Sequence, residues 1–90
     1  DGATLHGADM VVNAAMNLLN RRRSAEAATL LTRMIGRFPA APDAYFYRGY
    51  ATLQAGKPAE GKADLEQYLK LAPADGPLVT QAREMLSRIQ

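Results

Sequence analysis

Apolar residues recur along most of the chain at intervals of three and four positions, which is the spacing of one face of an α-helix. The clearest series lie at positions 11–19, 30–35 and 65–71. Alanine, leucine, glutamate, arginine and methionine dominate these stretches, and all five favour helices. No segment alternates between apolar and polar residues as a half-buried strand would. The pattern therefore predicts an all-α fold without a sheet.

Prolines, glycines and one serine divide the pattern into five predicted helices. Ser24 suits the N-cap of the second helix, and Pro42, Pro58 and Pro77 suit the first turns of the third, fourth and fifth. Gly56 suits a left-handed residue at the end of the third. The predicted helices run over about 5–21, 24–37, 42–55, 58–71 and 77–89. The linkers are short, so we expect successive helices to pack as antiparallel neighbours.

A shift of 34 residues along the chain aligns its two halves, as in an internal repeat. The shift aligns Asp9 with Asp43, Leu19 with Leu53, Leu31 with Leu65 and Pro39 with Pro73. It also aligns small residues midway along the predicted helices, namely Ala15 with Gly49 and Ala27 with Gly61. Small residues are needed where two helices cross closely. The register predicts one repeat at about 8–39 and a second at about 42–73.

Two helices in each unit of roughly 34 residues, a small residue midway along each helix and a closing proline resemble the tetratricopeptide repeat. The second unit is the closer match, through Tyr45, Gly49, Gly56, Gly61, Leu65, Tyr68 and Pro73. Arg48 departs from the usual leucine, and Arg22 replaces the turn glycine of the first unit. The resemblance implies a right-handed superhelical stack of antiparallel helix pairs. Residues 1–90 would form one such domain, capped by the helix at 77–89.

Composition gives little support to catalysis or to a bound cofactor. The chain has no cysteine and a single histidine, His6, which we expect to be a solvated residue near the N-terminus. Glu60, Asp64 and Glu66 are expected on the exposed side of the fourth helix as solvating charges. We therefore predict a non-catalytic protein without a metal or cofactor. No apolar run is long enough to span a membrane.

Arg21, Arg22 and Arg23 form the single basic run of the chain, at the predicted turn between the first two helices. Such a run can bind phosphate or an acidic partner. Positive charge at a helix C-terminus is also favoured by the helix dipole. The net charge is only +2, so no nucleic-acid partner is expected. Nucleic-acid binding through this run therefore ranks third among our hypotheses.

Four of the six aromatic residues crowd into positions 45–50, on the third predicted helix. Tyr45 shares a face with Gly49 and is expected to pack inside, whereas Phe46 and Tyr50 share another face. In the tetratricopeptide family that second face lines a concave groove, and Phe46 and Tyr50 would be its anchors. The predicted groove residues are Val12, Asn13, Met16, Leu19, Phe46, Tyr47, Tyr50, Leu53 and Gln54. Apolar walls with amide edges suit a peptide or protein segment.

The first hypothesis is therefore a protein-interaction module. The chain begins at Asp1 and is rich in alanine and arginine, so we expect a piece of a longer protein of bacterial type. A structural spacer or homo-oligomerisation unit, with the groove filled by its own chain or a second copy, is the alternative. The sequence leaves the partner and the cellular compartment open.

Overall fold

The computed structural model describes the backbone of residues 2–89 and the side chains of residues 10–89. It contains five helices: α1 Gly2–Asn20, α2 Ser24–Arg37, α3 Pro42–Gln54, α4 Pro58–Leu71 and α5 Val79–Arg88. No strand occurs within 2–89, which confirms the predicted all-α repeat fold. His6 lies in α1, and its side chain is outside the described residues.

Both helix pairs turn in the same way, at equivalent positions of the two repeats. The N–H of Arg23 donates to the carbonyl of Leu18, and the N–H of Lys57 to that of Thr52, both at 2.8 Å. These bonds satisfy carbonyls that the helix end leaves without a partner. The motif needs one left-handed residue, which is Gly56 (φ 84°) in one turn and Arg22 (φ 62°) in the other. The predicted role of Gly56 is confirmed.

One predicted helix cap and one predicted helix start are wrong. Arg23 rather than Ser24 caps α2, because its carbonyl already accepts the first helical bond, from the N–H of Ala27 at 3.0 Å. The fifth helix begins at Val79 rather than Pro77, since residues 73–79 first form two consecutive turns. The hydroxyl of Tyr68 accepts a hydrogen bond from the backbone N–H of Leu78 at 3.2 Å and ties this segment to α4.

Each helix packs against the next, and α1 also packs against α3. Three buried clusters lie along the stack: Ala15, Leu31, Met34 and Ala44; Leu19, Ala27 and Ala51; Phe46, Leu65, Tyr68, Val79 and Ala82. Tyr47 is half-buried and contacts all three. This tyrosine of α3 therefore joins the cores of the two repeats.

The close crossing of α3 and α4 occurs at two buried glycines, as predicted. A Cβ atom at Gly49 would lie 3.1 Å from the carbonyl oxygen of Gly61 and 3.2 Å from both Asp64 Cβ and Leu65 Cγ. A Cβ at Gly61 would lie 2.6 Å from Leu53 Cγ. Residue 49 of α3 lies against residues 64–65 of α4, whereas residue 53, further along α3, lies against the earlier residue 61. The two helices are therefore antiparallel.

Burial of two tyrosines predicts a loss of stability in alkali. Burial raises the pKa of Tyr47 and of Tyr68 above the ordinary 10.0, because it penalises the phenolate. For an acid whose pKa is raised on folding, the contribution to stability is complete below the unfolded pKa and is lost as the pH rises through the folded pKa. We expect the free energy of unfolding, measured with urea, to fall above about pH 10. Tyr47→Phe should make the fall shallower, and an unchanged slope would contradict this assignment.

Candidate functional site

A concave depression with a volume of about 420 Å³ lies between α1, α3 and α5. We call it the three-helix groove. Its lining comprises Met16, Leu19 and Asn20 of α1, Phe46, Tyr47 and Tyr50 of α3, and Gln81, Glu84, Met85 and Arg88 of α5. Within each helix these residues lie at or next to positions three or four apart and so share a face. Because α1 packs on α3, the two faces join into one surface, and α5 forms the third wall.

Large apolar side chains are exposed in this groove. Among the described residues, Met10, Met16 and Tyr50 are the exposed large hydrophobic residues, at 71, 39 and 42 %. Met16 and Tyr50 both line the groove, whereas Met10 lies outside it. Single exposed apolar residues are ordinary, but neighbouring ones in a concavity are typical of binding surfaces.

A second depression, of about 450 Å³, adjoins the groove at the α1–α2 turn. We call it the turn depression. Its lining is Leu19, Asn20, Arg22, Tyr50, Leu53, Gln54 and Met85. The side-chain N–H of Gln54 donates to the carbonyl of Leu19 at 3.5 Å, and its Oε1 is buried without a hydrogen-bond partner among the described residues.

The predicted groove residues fall into three groups. Met16, Leu19, Phe46, Tyr47 and Tyr50 line the three-helix groove, and Leu53 and Gln54 line the turn depression. Val12 and Asn13 line neither. Val12 is half-buried against the cluster of Ala15 and Leu31, and Asn13 is exposed.

The prediction that Tyr45 packs inside while Phe46 is an anchor of the groove is wrong. Phe46 is only 3 % exposed, and its ring packs edge-on against Tyr47 and Tyr68, with centroids 5.1 and 5.6 Å apart. It belongs to the core and forms the floor of the groove rather than an exposed anchor. Tyr45, expected inside, is half-buried, and its hydroxyl donates to the carbonyl of Pro39 at 2.8 Å.

Sequence reasoning missed the wall formed by α5. The signal was present, because extending the repeat register by one more unit aligns Met16 and Tyr50 with Glu84. The same extension aligns Tyr47 with Gln81, and Gln54 with Arg88. The resemblance gives the fifth helix only the role of a cap, although these positions continue the groove.

A protein-family model described as "Tetratricopeptide repeat" matches residues 16–87 of the chain. The chain belongs to the tetratricopeptide repeat family. Searches of the curated proteins and of the solved structures each gave no significant match. Tetratricopeptide repeats generally mediate protein–protein interaction and are generally non-catalytic.

The three arginines at the first turn of this tetratricopeptide unit have different surroundings. Arg23 pairs with Glu26 at 3.5 Å on the exposed start of α2. Arg22 lines the turn depression, and Arg21 is exposed and lines neither of the two depressions. The run is thus divided among separate environments.

A partly buried ion pair lies where α3 and α4 cross, and it corrects one prediction. Asp64 was expected to be exposed with Glu60 and Glu66, but it is only 7 % exposed. Arg48 donates to both of its carboxylate oxygens, from Nη2 to Oδ1 at 2.7 Å and from Nε to Oδ2 at 2.9 Å. This hydrogen bonding raises the pKa of Arg48. The arginine that departs from the family's usual leucine therefore has a buried partner.

Among residues 10–89 no group of histidine, cysteine, aspartate and glutamate side chains is arranged to hold a metal ion. Within the described part of the chain, none of the helices has the length and apolar character needed to cross a membrane.

Proposed function

We propose that the three-helix groove binds a segment of another protein through at least one large apolar side chain. The observation that carries the proposal is the exposure of Tyr50 and Met16 in one concavity above the buried ring of Phe46. Tyrosine buries a large area at low conformational cost, and methionine adapts its shape to different ligands. The amide groups of Asn20 and Gln81 provide donors and acceptors at the edge for a peptide backbone.

A second copy of this chain is the alternative occupant, as in the hypothesis of a homo-oligomerisation unit. Burial of Tyr50 and Met16 in a self-association contact would make the oligomeric state depend on concentration. Sedimentation equilibrium distinguishes the two occupants. A monomer across the concentration range supports the groove as a site for a different protein, and a dimer abolished by Tyr50→Ala supports self-association.

The proposal predicts that Tyr50→Ala weakens partner binding far more than it weakens folding. A random peptide library displayed on phage is first selected against the unmodified chain, and the affinity of the selected peptides is measured by fluorescence polarisation. We expect Tyr50→Ala to weaken their binding by about 2 kcal/mol, roughly thirtyfold, as for an aromatic anchor. The melting midpoint should change little, because the side chain is 42 % exposed.

Two methionines of α1 provide a matched control. Met16→Ala should weaken peptide binding by about 1 kcal/mol, in proportion to the apolar area it removes from the contact. Met10→Ala removes the same side chain from the same helix outside the groove and should leave the affinity unchanged. If the two variants bind the selected peptides equally well, the binding surface is not this groove.

A further inference from the structure

The α1–α2 turn carries an arginine at a position whose backbone conformation favours glycine. Arg22 has φ 62°, and its counterpart in the second repeat, Gly56, has φ 84° and closes the equivalent turn with the same hydrogen bonds. Glycine adopts this left-handed conformation without steric cost, whereas a residue with a Cβ atom does not. Folding of the turn therefore does not require the guanidinium, and Arg22 adds a cation beside the groove.

The surroundings of Arg22 define the group that would pair with it. Among residues 10–89 it is the only charged residue that lines the turn depression, which it shares with Tyr50 and Met85. Within residues 10–89 it forms no ion pair, whereas Arg23 beside it pairs with Glu26. An unpaired guanidinium next to an apolar wall is complementary to a carboxylate, which can accept two parallel hydrogen bonds from it.

Other charges along the groove restrict where such a carboxylate would lie. Glu84 lines the three-helix groove but not the turn depression, so an acid deeper in the groove would be repelled. Arg88 lines the groove with Tyr50 and Met85 and adds a second positive charge near these two side chains. Arg22 therefore lies in a depression that no described acidic residue lines, whereas Arg88 shares the three-helix groove with Glu84.

We infer that the bound protein segment carries an aspartate or glutamate side chain that pairs with Arg22, next to a large apolar residue that contacts Tyr50 and Met85. The inference rests on the proposed function of the groove and specifies the chemistry of its partner. A nucleic acid fits the same observations less well. Of the three neighbouring arginines, Arg23 is paired with Glu26 and Arg21 lines neither depression, so Arg22 is the one that lines a concavity.

The test compares three forms of the chain in the same peptide selection. Random peptides are displayed without a free C-terminus, so that any acidic preference comes from side chains, and are selected against the unmodified chain, Arg22→Gly and Arg21→Ala. Glycine suits φ 62°, so Arg22→Gly should melt at the same temperature or higher. Arg21→Ala is the matched control, because it removes the same charge from a neighbouring residue outside the depression.

Peptides selected by the unmodified chain and by Arg21→Ala should be enriched in aspartate or glutamate beside a large apolar residue. Those selected by Arg22→Gly should keep the apolar residue and lose the acidic enrichment. An individual acidic peptide should bind Arg22→Gly about fivefold more weakly than the unmodified chain.

The outcomes separate this inference from the proposed function. Peptides whose binding depends on Tyr50 but that show no acidic enrichment would overturn the inference and leave the groove as the binding site. Equal losses with Arg21→Ala and Arg22→Gly would indicate general charge attraction and would also overturn it. Displacement of the peptides by a single-stranded oligonucleotide, with equal sensitivity to both arginine variants, would favour nucleic acid. If no selected peptide depends on Tyr50, both proposals fail.

Discussion

Replacing Arg48 with methionine is expected to lower the free energy of unfolding by about 3 kcal/mol, because it leaves a buried carboxylate without its cation. Asp64 is 7 % exposed, and Arg48 donates to both of its oxygens. For a domain of this size the loss corresponds to a fall in melting temperature of roughly 15 °C.

A double variant distinguishes the lost pair from lost packing. Arg48→Met combined with Asp64→Ala removes both charges, so the buried carboxylate no longer carries a penalty. We expect the double variant to be more stable than Arg48→Met alone and to lie within about 1 kcal/mol of the unmodified protein. If the two changes instead destabilise additively, the contribution of Arg48 comes from its aliphatic stem rather than from its charge.

The exposed pair of Arg23 and Glu26 provides the control for surface charge. Its atoms lie 3.5 Å apart on one face of the same helix start. Arg23→Met should change stability by less than about 0.5 kcal/mol, because exposed pairs are screened by water and salt. Urea unfolding in low and high salt measures the free energy of unfolding of Arg48→Met, of the double variant and of Arg23→Met. An equal effect of Arg23→Met and Arg48→Met would contradict the special role of the buried pair.

Local patterns were sufficient to predict most of the fold. The helices follow from apolar spacing, and the α3–α4 turn follows from Gly56, because few other residues adopt a left-handed φ without strain. The start of α5 was not predicted, since it depends on the hydroxyl of Tyr68 holding the N–H of Leu78, a contact between separate segments of the chain. Arg22 shows the same limit, as its left-handed conformation is set by the turn and not by the residue.

The site was harder to predict because neighbouring helical residues differ by about 100° in direction. Whether Tyr45 or Phe46 is buried depends on how α4 and α5 pack against α3. Phe46 meets Tyr68, Val79 and Ala82 there. Repeat register carries this information better than local pattern does. It aligned Ala15 with Gly49 and Ala27 with Gly61 as small residues at close helix crossings. It did not predict the ion pair beside that crossing, because Asp64 is expected from its position to be a solvated charge.

Introducing leucine at the helix crossing should be as damaging as breaking the ion pair beside it. We expect Gly49→Leu and Gly61→Leu each to lower the free energy of unfolding by about 3 kcal/mol through overpacking. Even the first added carbon at Gly61 would lie 2.6 Å from Leu53 Cγ and 3.0 Å from the carbonyl oxygen of Gly49. The side chain of Leu53 can rotate, but the carbonyl can move only if the helices separate. Ala15→Leu, at a buried position of the first repeat, should lower the free energy of unfolding by about 2 kcal/mol for the same reason.

Gly36 makes this prediction specific to the crossing. A Cβ atom at Gly36 meets nothing within 4 Å, and the residue is exposed near the end of α2. Gly36→Leu should therefore leave stability unchanged or raise it by up to about 1 kcal/mol, because leucine is the better helix former. Thermal unfolding should then show a lower melting temperature for Gly61→Leu and an unchanged or higher one for Gly36→Leu. Equal melting temperatures for these two variants would mean that α3 and α4 do not approach each other closely at Gly49 and Gly61.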